Sequence, residues 1–129
     1  MELMVVVTIV GIIAAFAIPN YSKAVERSRM KTALNNLACM ASAEAGYVLQ
    51  NNQYFGSSDI TIINASLGLN IISNGVAYGC LGDPSGYICW ATWGGGSGMY
   101  SVLPYILPIE RYMVLVTNTS TIPRCYSCP

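Results

Sequence analysis

The sequence contains no histidine, and only 9% of its residues carry a charge. The first absence removes the commonest metal ligand and the usual general base of catalysis. It also excludes haem attachment, because Cys125-Tyr126-Ser127-Cys128 is followed by Pro129 and not by the histidine that such a motif needs. The formal net charge is zero, so no nucleic-acid contact is predicted: no basic surface is left over to neutralise a row of phosphates. Lys23, Arg27, Arg29 and Lys31 do cluster, but Glu26 interrupts them. A membrane surface, where anionic lipids attract cations, suits that cluster better. The glycine-rich stretch Gly94-Gly95-Gly96-Ser97-Gly98 is a flexible break and not a phosphate cradle, since no Lys-Ser/Thr pair or helix start follows it. There is no internal repeat, and 129 residues fit one domain.

Apolar residues are plentiful, at 53% of the chain. So much apolar side chain with so little charge makes a poor free monomer and calls for neighbours or lipid. The excess is concentrated at the front. From Leu3 to Ile18 there is no charge, and Thr8 is the only polar side chain; Leu3, Val5, Val6, Val7, Ile9, Val10, Ile12, Ile13, Phe16 and Ile18 form the greasy body. As a helix the run is roughly 24 Å long, slightly short of the roughly 20 residues that span a bilayer. Glu2 stands at its head. An ionised carboxylate is costly in hydrocarbon unless it finds a partner, so its position suggests a pairing. A secretory signal core fits less well, because a basic leading region is missing and an amphipathic helix follows in place of a small-residue cleavage site. A plain membrane anchor is the other alternative. Gly11 and Pro19 both weaken a helix, although membrane helices tolerate them.

Residues 20 to about 50 read as an amphipathic helix. Tyr21, Ala24, Val25, Ser28, Thr32, Leu34, Leu37, Met40, Ala41 and Val48 can be threaded onto one side. The pattern predicts fraying after Gly46-Tyr47 and an end near Asn51-Asn52. Both halves together make a helix of roughly 75 Å, longer than a hundred-residue domain can cover. Its N-terminal half must therefore be buried by lipid or by sister subunits.

Gln53 to Asn74 reads as a linker punctuated by Asn, Ser and Gly. Three strands are predicted after it: Val76–Leu81, Tyr87–Thr92 and Arg111–Thr117, the first two joined by a turn at Gly82-Asp83-Pro84-Ser85-Gly86. Pro104 and Pro108 keep the intervening stretch extended or looped, and Asn118–Pro129 reads as a loop closed by cysteines. Tyr78, Tyr87, Trp90, Trp93, Tyr100, Tyr105 and Tyr112 gather in this second half as core or contact residues. Asp59, Asp83 and Glu110 are scattered, with no spacing that demands a metal. Five cysteines in a chain with an exported look suggest disulfides outside the cytoplasm, and the odd number leaves at least one without an internal partner. Cys80 and Cys89 flank the turn and could face each other. Cys125 or Cys128 is expected to bond a distant cysteine, and Cys39 to be a free buried thiol or the anchor of the tail. Without a βαβ pattern the cysteines read as staples, not redox catalysts.

The segment E-L-M-V-V-V-T-I-V-G-I-I-A-A-F-A-I-P-N-Y, with Glu2, Gly11, Pro19 and Tyr21 in place, resembles the N-terminal helix of type IV pilins and their pseudopilin relatives. The resemblance is specific through about residue 31 and loose to about residue 55. Processed members of that family carry a few more residues before the glutamate, beginning with an N-methylated phenylalanine; here only Met1 precedes it, so the sequence is expected to start short of the family's mature end or at an assigned start codon inside a longer gene. What the resemblance implies is an α+β fold, with a long N-terminal helix as spine and a small antiparallel β-sheet head. Residues 1–52 would be the helix, with 1–19 as transmembrane segment and filament core and 20–52 packed on the head. Residues 53–129 would supply linker, sheet and disulfide-closed loop. The function implied is that of a structural, non-enzymatic and cofactor-free subunit of a type IV pilus. Such a subunit waits in the inner membrane and polymerises with copies of itself into a filament at the cell surface, served by a prepilin peptidase and the assembly machinery. Glu2 would pair with the N-terminal amine of a neighbouring subunit, and Gly11 to Pro19 would lose helical order on packing. A type II secretion pseudopilin of the same architecture and a membrane-anchored exported binding protein are the alternatives; some such pseudopilins bind calcium, and Asp59, Asp83 and Glu110 could join such a site, although nothing in their spacing demands it.

Overall fold

In a computed structural model the chain is described at residues 2–95, 98–102, 105–109 and 112–129, the side chains of 2, 19, 98–102, 105–109, 120, 121, 126 and 127 excepted. The long helix α1 runs unbroken over Glu2–Asn51. Its C-terminal half lies on a sheet through Ala33, Leu37, Met40 and Ala41, all buried. These positions recur at the three- and four-residue steps that place side chains on one helix face. Tyr21, Ala24, Ser28 and Thr32, expected on the same side, are exposed. The head begins to cover the helix only near Val25; further along, the expected Leu37, Met40 and Ala41 are buried, joined by Ala33, on a face turned well away from that of Tyr21, Ala24, Ser28 and Thr32.

The region 53–74 is not only linker. Helix α2, Ile60–Leu67, lies within it. Asp59 caps its first turn by accepting from the Thr61 N–H (2.8 Å), and Gly68 closes it in the left-handed conformation at φ 65°. An acidic cap and a terminal glycine are the residues that helix ends favour. Ile63 fixes α2 to the core. The Asn64 side chain both accepts from the Ile71 N–H and donates to the Ile71 carbonyl (2.9 Å each), so the return loop is pinned without a strand.

Strands β1 (Ala77–Asp83), β2 (Gly86–Trp93), β5 (Tyr112–Thr117) and β6 (Ser120–Ser127) form an antiparallel sheet in the order β1-β2-β5-β6. Between β2 and β5 the chain makes a separate two-stranded hairpin, β3 (Gly98–Val102) with β4 (Tyr105–Ile109), in which Pro108 lies opposite Met99. The three predicted strands correspond to β1, β2 and β5. The tail, expected to be a loop, is β6. Its ladder with β5 is irregular, with register shifts at Met113/Val114 and Leu115/Thr117, and it contains Pro123. An edge strand with one free side tolerates both features. Pro104, Glu110 and Arg111, for which the sequence carries expectations, lie outside the described residues.

The turn between β1 and β2 is built by Asp83, whose carboxylate accepts from the Ser85 N–H (2.7 Å) and the Gly86 N–H (2.9 Å). This is the local bonding that makes Asp a turn former. Alternation along β2 and β5 then sorts two cores. Tyr87, Cys89, Ala91, Trp93, Val114 and Val116 face α1, while Ile88, Trp90, Met113 and Leu115 form a smaller cluster. Trp90 reaches across β1 at Gly79, where a Cβ would collide with its ring. The outer edge of β1 is capped by Ser57, which exchanges two backbone hydrogen bonds with Cys80 (2.8 and 2.7 Å) and so covers an otherwise open edge.

Candidate functional site

The apolar front of α1 has no cover within the chain. Every residue from Leu3 to Ile18 is exposed, among them eleven large apolar side chains such as Leu3, Phe16 and Ile18. Burying that many side chains of this kind is worth on the order of 10–20 kcal/mol, comparable to the entire net stability of a typical domain. Thr8 spends its hydroxyl internally, on the carbonyls of Met4 (3.0 Å) and Val5 (2.8 Å). The surface is therefore apolar all round. By length and composition it is the one described helix able to cross a membrane.

Gly11 and Pro19 do not interrupt the helix in the single chain. A Cβ at Gly11 would meet nothing within 4 Å, so no packing inside the molecule requires a glycine there. Beyond Pro19, Asn20 donates to the Phe16 carbonyl (3.2 Å) and Ser22 to the Ile18 carbonyl (3.3 Å), the kind of side-chain support that proline-containing membrane helices use. The roles expected of the Glu2 and Pro19 side chains lie outside the described residues.

A collar of charge follows. Lys23 and Arg27 are exposed, and Glu26 pairs with Arg29 (3.4 Å) one turn on. A cavity of about 540 Å³ opens here, between Lys23, Glu26 and Arg27 on α1 and Gly94, Tyr112 and Pro129 at the end of the sheet.

At the other end of α1, sequence reasoning missed Glu44. It is fully buried, and one carboxylate oxygen accepts from the Phe55 N–H (2.9 Å), tying the end of α1 to the chain that leaves it. The other oxygen, Oε1, has no partner. Burial raises the pKa of this carboxyl, and the Phe55 hydrogen bond offsets the rise only in part. Tyr87 is raised too, by burial first and then by the negative charges of Glu44 and Tyr54. The signal was present in the sequence: Glu44 falls three residues after Ala41, four after Met40 and seven after Leu37, on the buried stripe.

Cys80 and Cys89 are directly opposite in the β1–β2 ladder and are joined, with Cα atoms 4.0 Å apart. Cys125 is joined to Cys128 and not to a distant cysteine; the short spacing lets the last turn of the tail close on itself. Cys39 is free and exposed, neither buried nor anchoring the tail, because it falls on the face of α1 opposite the stripe that meets the sheet. Glu44 with the two sulfurs of Cys80 and Cys89 is a potential metal-ligand group, all within 4.8 Å. With the sulfurs bonded to each other they offer no thiolates, and the group is part of the core. Asp59 and Asp83 are occupied as a helix cap and a turn former.

No family model matches the sequence. Among curated proteins, it is similar to the type IV major pilin protein PilA of Myxococcus xanthus (strain DK1622), 42% identical over 53 residues. That match covers 41% of this chain and 24% of the relative's length. A long N-terminal helix, its packing on an antiparallel sheet, and this match together fit a type IV pilin.

Proposed function

We propose that the chain is a structural subunit of a type IV pilus, polymerising through its hydrophobic N-terminal helix and carrying no catalytic activity. The observation that supports this most strongly is the bare helix, whose eleven exposed apolar side chains have no cover in their own chain. Before assembly the inner membrane shelters residues 3–18; afterwards neighbouring copies do. A prepilin peptidase and an assembly machinery process and extrude the subunit. Glu2, alone among apolar residues, selects one axial register by pairing with the amine of a neighbour, since charges attract strongly where the dielectric is low. Gly11 lets a second helix approach closely, consistent with the open space around it, and the segment from Gly11 to Pro19 is where helical order yields on packing.

The test is Glu2→Ala in the native host, read by electron microscopy of the cell surface. The wild type is expected to form long fibres; the variant is expected to form none, while its head keeps the Cys80–Cys89 disulfide. Normal fibres from the variant would contradict the assembly role. Short fibres confined to the periplasm in the wild type would contradict the pilus in favour of a secretion pseudopilus.

A further inference from the structure

The end of α1 and the first two strands converge on the Cys80–Cys89 bond. A Glu44 carboxylate oxygen and both sulfurs lie within 4.8 Å of one another, and all three residues are fully buried. The segment Tyr54–Ser57 closes the edge of β1 beside them. Ser57 exchanges backbone hydrogen bonds with Cys80, the Tyr54 N–H donates to the Asp83 carbonyl (3.4 Å), and the Phe55 N–H donates to Glu44 Oε2 (2.9 Å). Glu44 Oε1 is left without a partner. A buried polar atom is rarely left so, and one without exposed surface can serve only a group inside its own chain. The two sulfurs, bonded to each other, have no proton to offer it. Before the bond formed, each was a thiol with one S–H donor.

We propose that Glu44 is the proton acceptor that promotes formation of the Cys80–Cys89 bond in the reduced head. The thiolate and not the thiol is the nucleophile, and a thiol in apolar surroundings ionises poorly. A carboxylate beside both sulfurs relieves this. The oxidant is a small molecule or protein that itself carries a disulfide. It meets the sulfurs before Tyr54–Ser57 is laid along β1, since they are fully buried afterwards. Glu44 takes the proton of one S–H, and the thiolate attacks one sulfur of the oxidant. A mixed disulfide forms, and the oxidant's other half leaves as a thiolate, which receives the proton from Glu44. The carboxylate then takes the second S–H proton. The second thiolate attacks the mixed disulfide at the protein sulfur, closes Cys80–Cys89 and expels the rest of the oxidant as a second thiol. The protein gives up two electrons and two protons, and the oxidant takes up both. Burial, which raises the Glu44 pKa, brings this acceptor nearer to a thiol and so suits it to the transfer. The other titratable groups around the carboxyl are the two thiols from β1 and β2, Tyr87 from β2, and Tyr54, whose ring packs on that of Tyr87.

The test follows reoxidation of the intact chain, reduced and held in detergent, in a Cys39→Ser background. Dithiodipyridine is the oxidant, and both bonds are timed by acid quenching and peptide mass spectrometry. Cys125–Cys128 in the same molecule is the reference, because it lies far along the chain from Glu44 and closes over a short spacing. Relative to it, Cys80–Cys89 should close at least about tenfold more slowly in Glu44→Gln than in the wild type at neutral pH, the low side of what a positioned proton acceptor contributes. The wild-type ratio of the two rates should rise as the carboxyl ionises above its ordinary range, while the Glu44→Gln ratio stays level and meets it near pH 4. A wild-type ratio that is level with pH overturns the proposal without recourse to any variant. So does Glu44→Gln keeping pace with the wild type. If Glu44→Gln keeps pace and Glu44→Leu, which also loses the Phe55 hydrogen bond, is slow, Glu44 only latches the Tyr54–Ser57 segment and the proposal is wrong.

Discussion

The two halves of α1 share one continuous backbone and differ in everything that surrounds it. From Leu3 to Ile18 every residue is exposed; from Ala33 to Glu44 a narrow stripe is buried, flanked by half-buried residues such as Leu34 and Asn36, and the opposite face points outward. The rear half is amphipathic because it has a partner on one side only. The front half is apolar on every side, and a helix of that kind is buried on every side wherever it is stable. The contrast separates what the chain completes by itself from what it leaves to others: the head's core is closed, and the spine's is not.

The sharpest way to probe that contrast is to cut the same kind of side chain from each half. Leu37→Ala, in the sheltered half, should cost the head about 2–5 kcal/mol in a denaturant melt, the range for a leucine deleted from a packed core. Ile12→Ala, in the bare half, should leave that melt within error and weaken fibre formation or membrane retention instead. Equal losses of head stability from both would mean that the front half packs on the head.

A smaller effect concerns Glu44. Its pKa in the folded head is raised from the ordinary 4.5 by burial, so the folded state holds a proton that the unfolded chain releases. Stability is therefore greatest below about the ordinary carboxyl pKa and falls as pH rises from there through the raised value, after which it levels off. Tyr87, which faces this site, has its own pKa raised by burial and so keeps its proton over that range. Glu44→Gln should flatten this part of the pH–stability curve while leaving the midpoint at low pH nearly unchanged. A variant curve parallel to the wild type across the window would show that the Glu44 proton is not taken up on folding.

Much of this was legible in the sequence, for identifiable reasons. The uncharged run from Leu3 to Ile18 is long enough that no reading except a helix needing outside cover fits it. Strands β1 and β2 were readable because Asp83-Pro84-Ser85-Gly86 is chemically specific for a turn; that turn brings Cys80 and Cys89 within reach of each other, and the ladder register sets them directly opposite. What was missed depended on tertiary partners. Strand β6 carries Pro123 and polar residues and becomes a strand by pairing with β5. Helix α2 is short, and its identity lies in the caps Asp59 and Gly68 more than in its body. The burial stripe of α1 is legible at Leu37, Met40 and Ala41, but its extension forward to Tyr21 and Thr32 is not met, because the sequence does not reveal where along a long helix the head begins. Glu44 was passed over because a carboxylate is rarely placed in a core.

The claim on which the account depends is that residues 3–18 are sheltered by something outside their own chain. Hydrogen exchange on the intact protein, taken from detergent into buffer and followed by sedimentation, tests it directly. The account predicts that the protein leaves the monomer peak as polymer, with the amides of residues 3–18 becoming protected as it does so. A monodisperse monomer in which those amides are protected by contact with the head would contradict it.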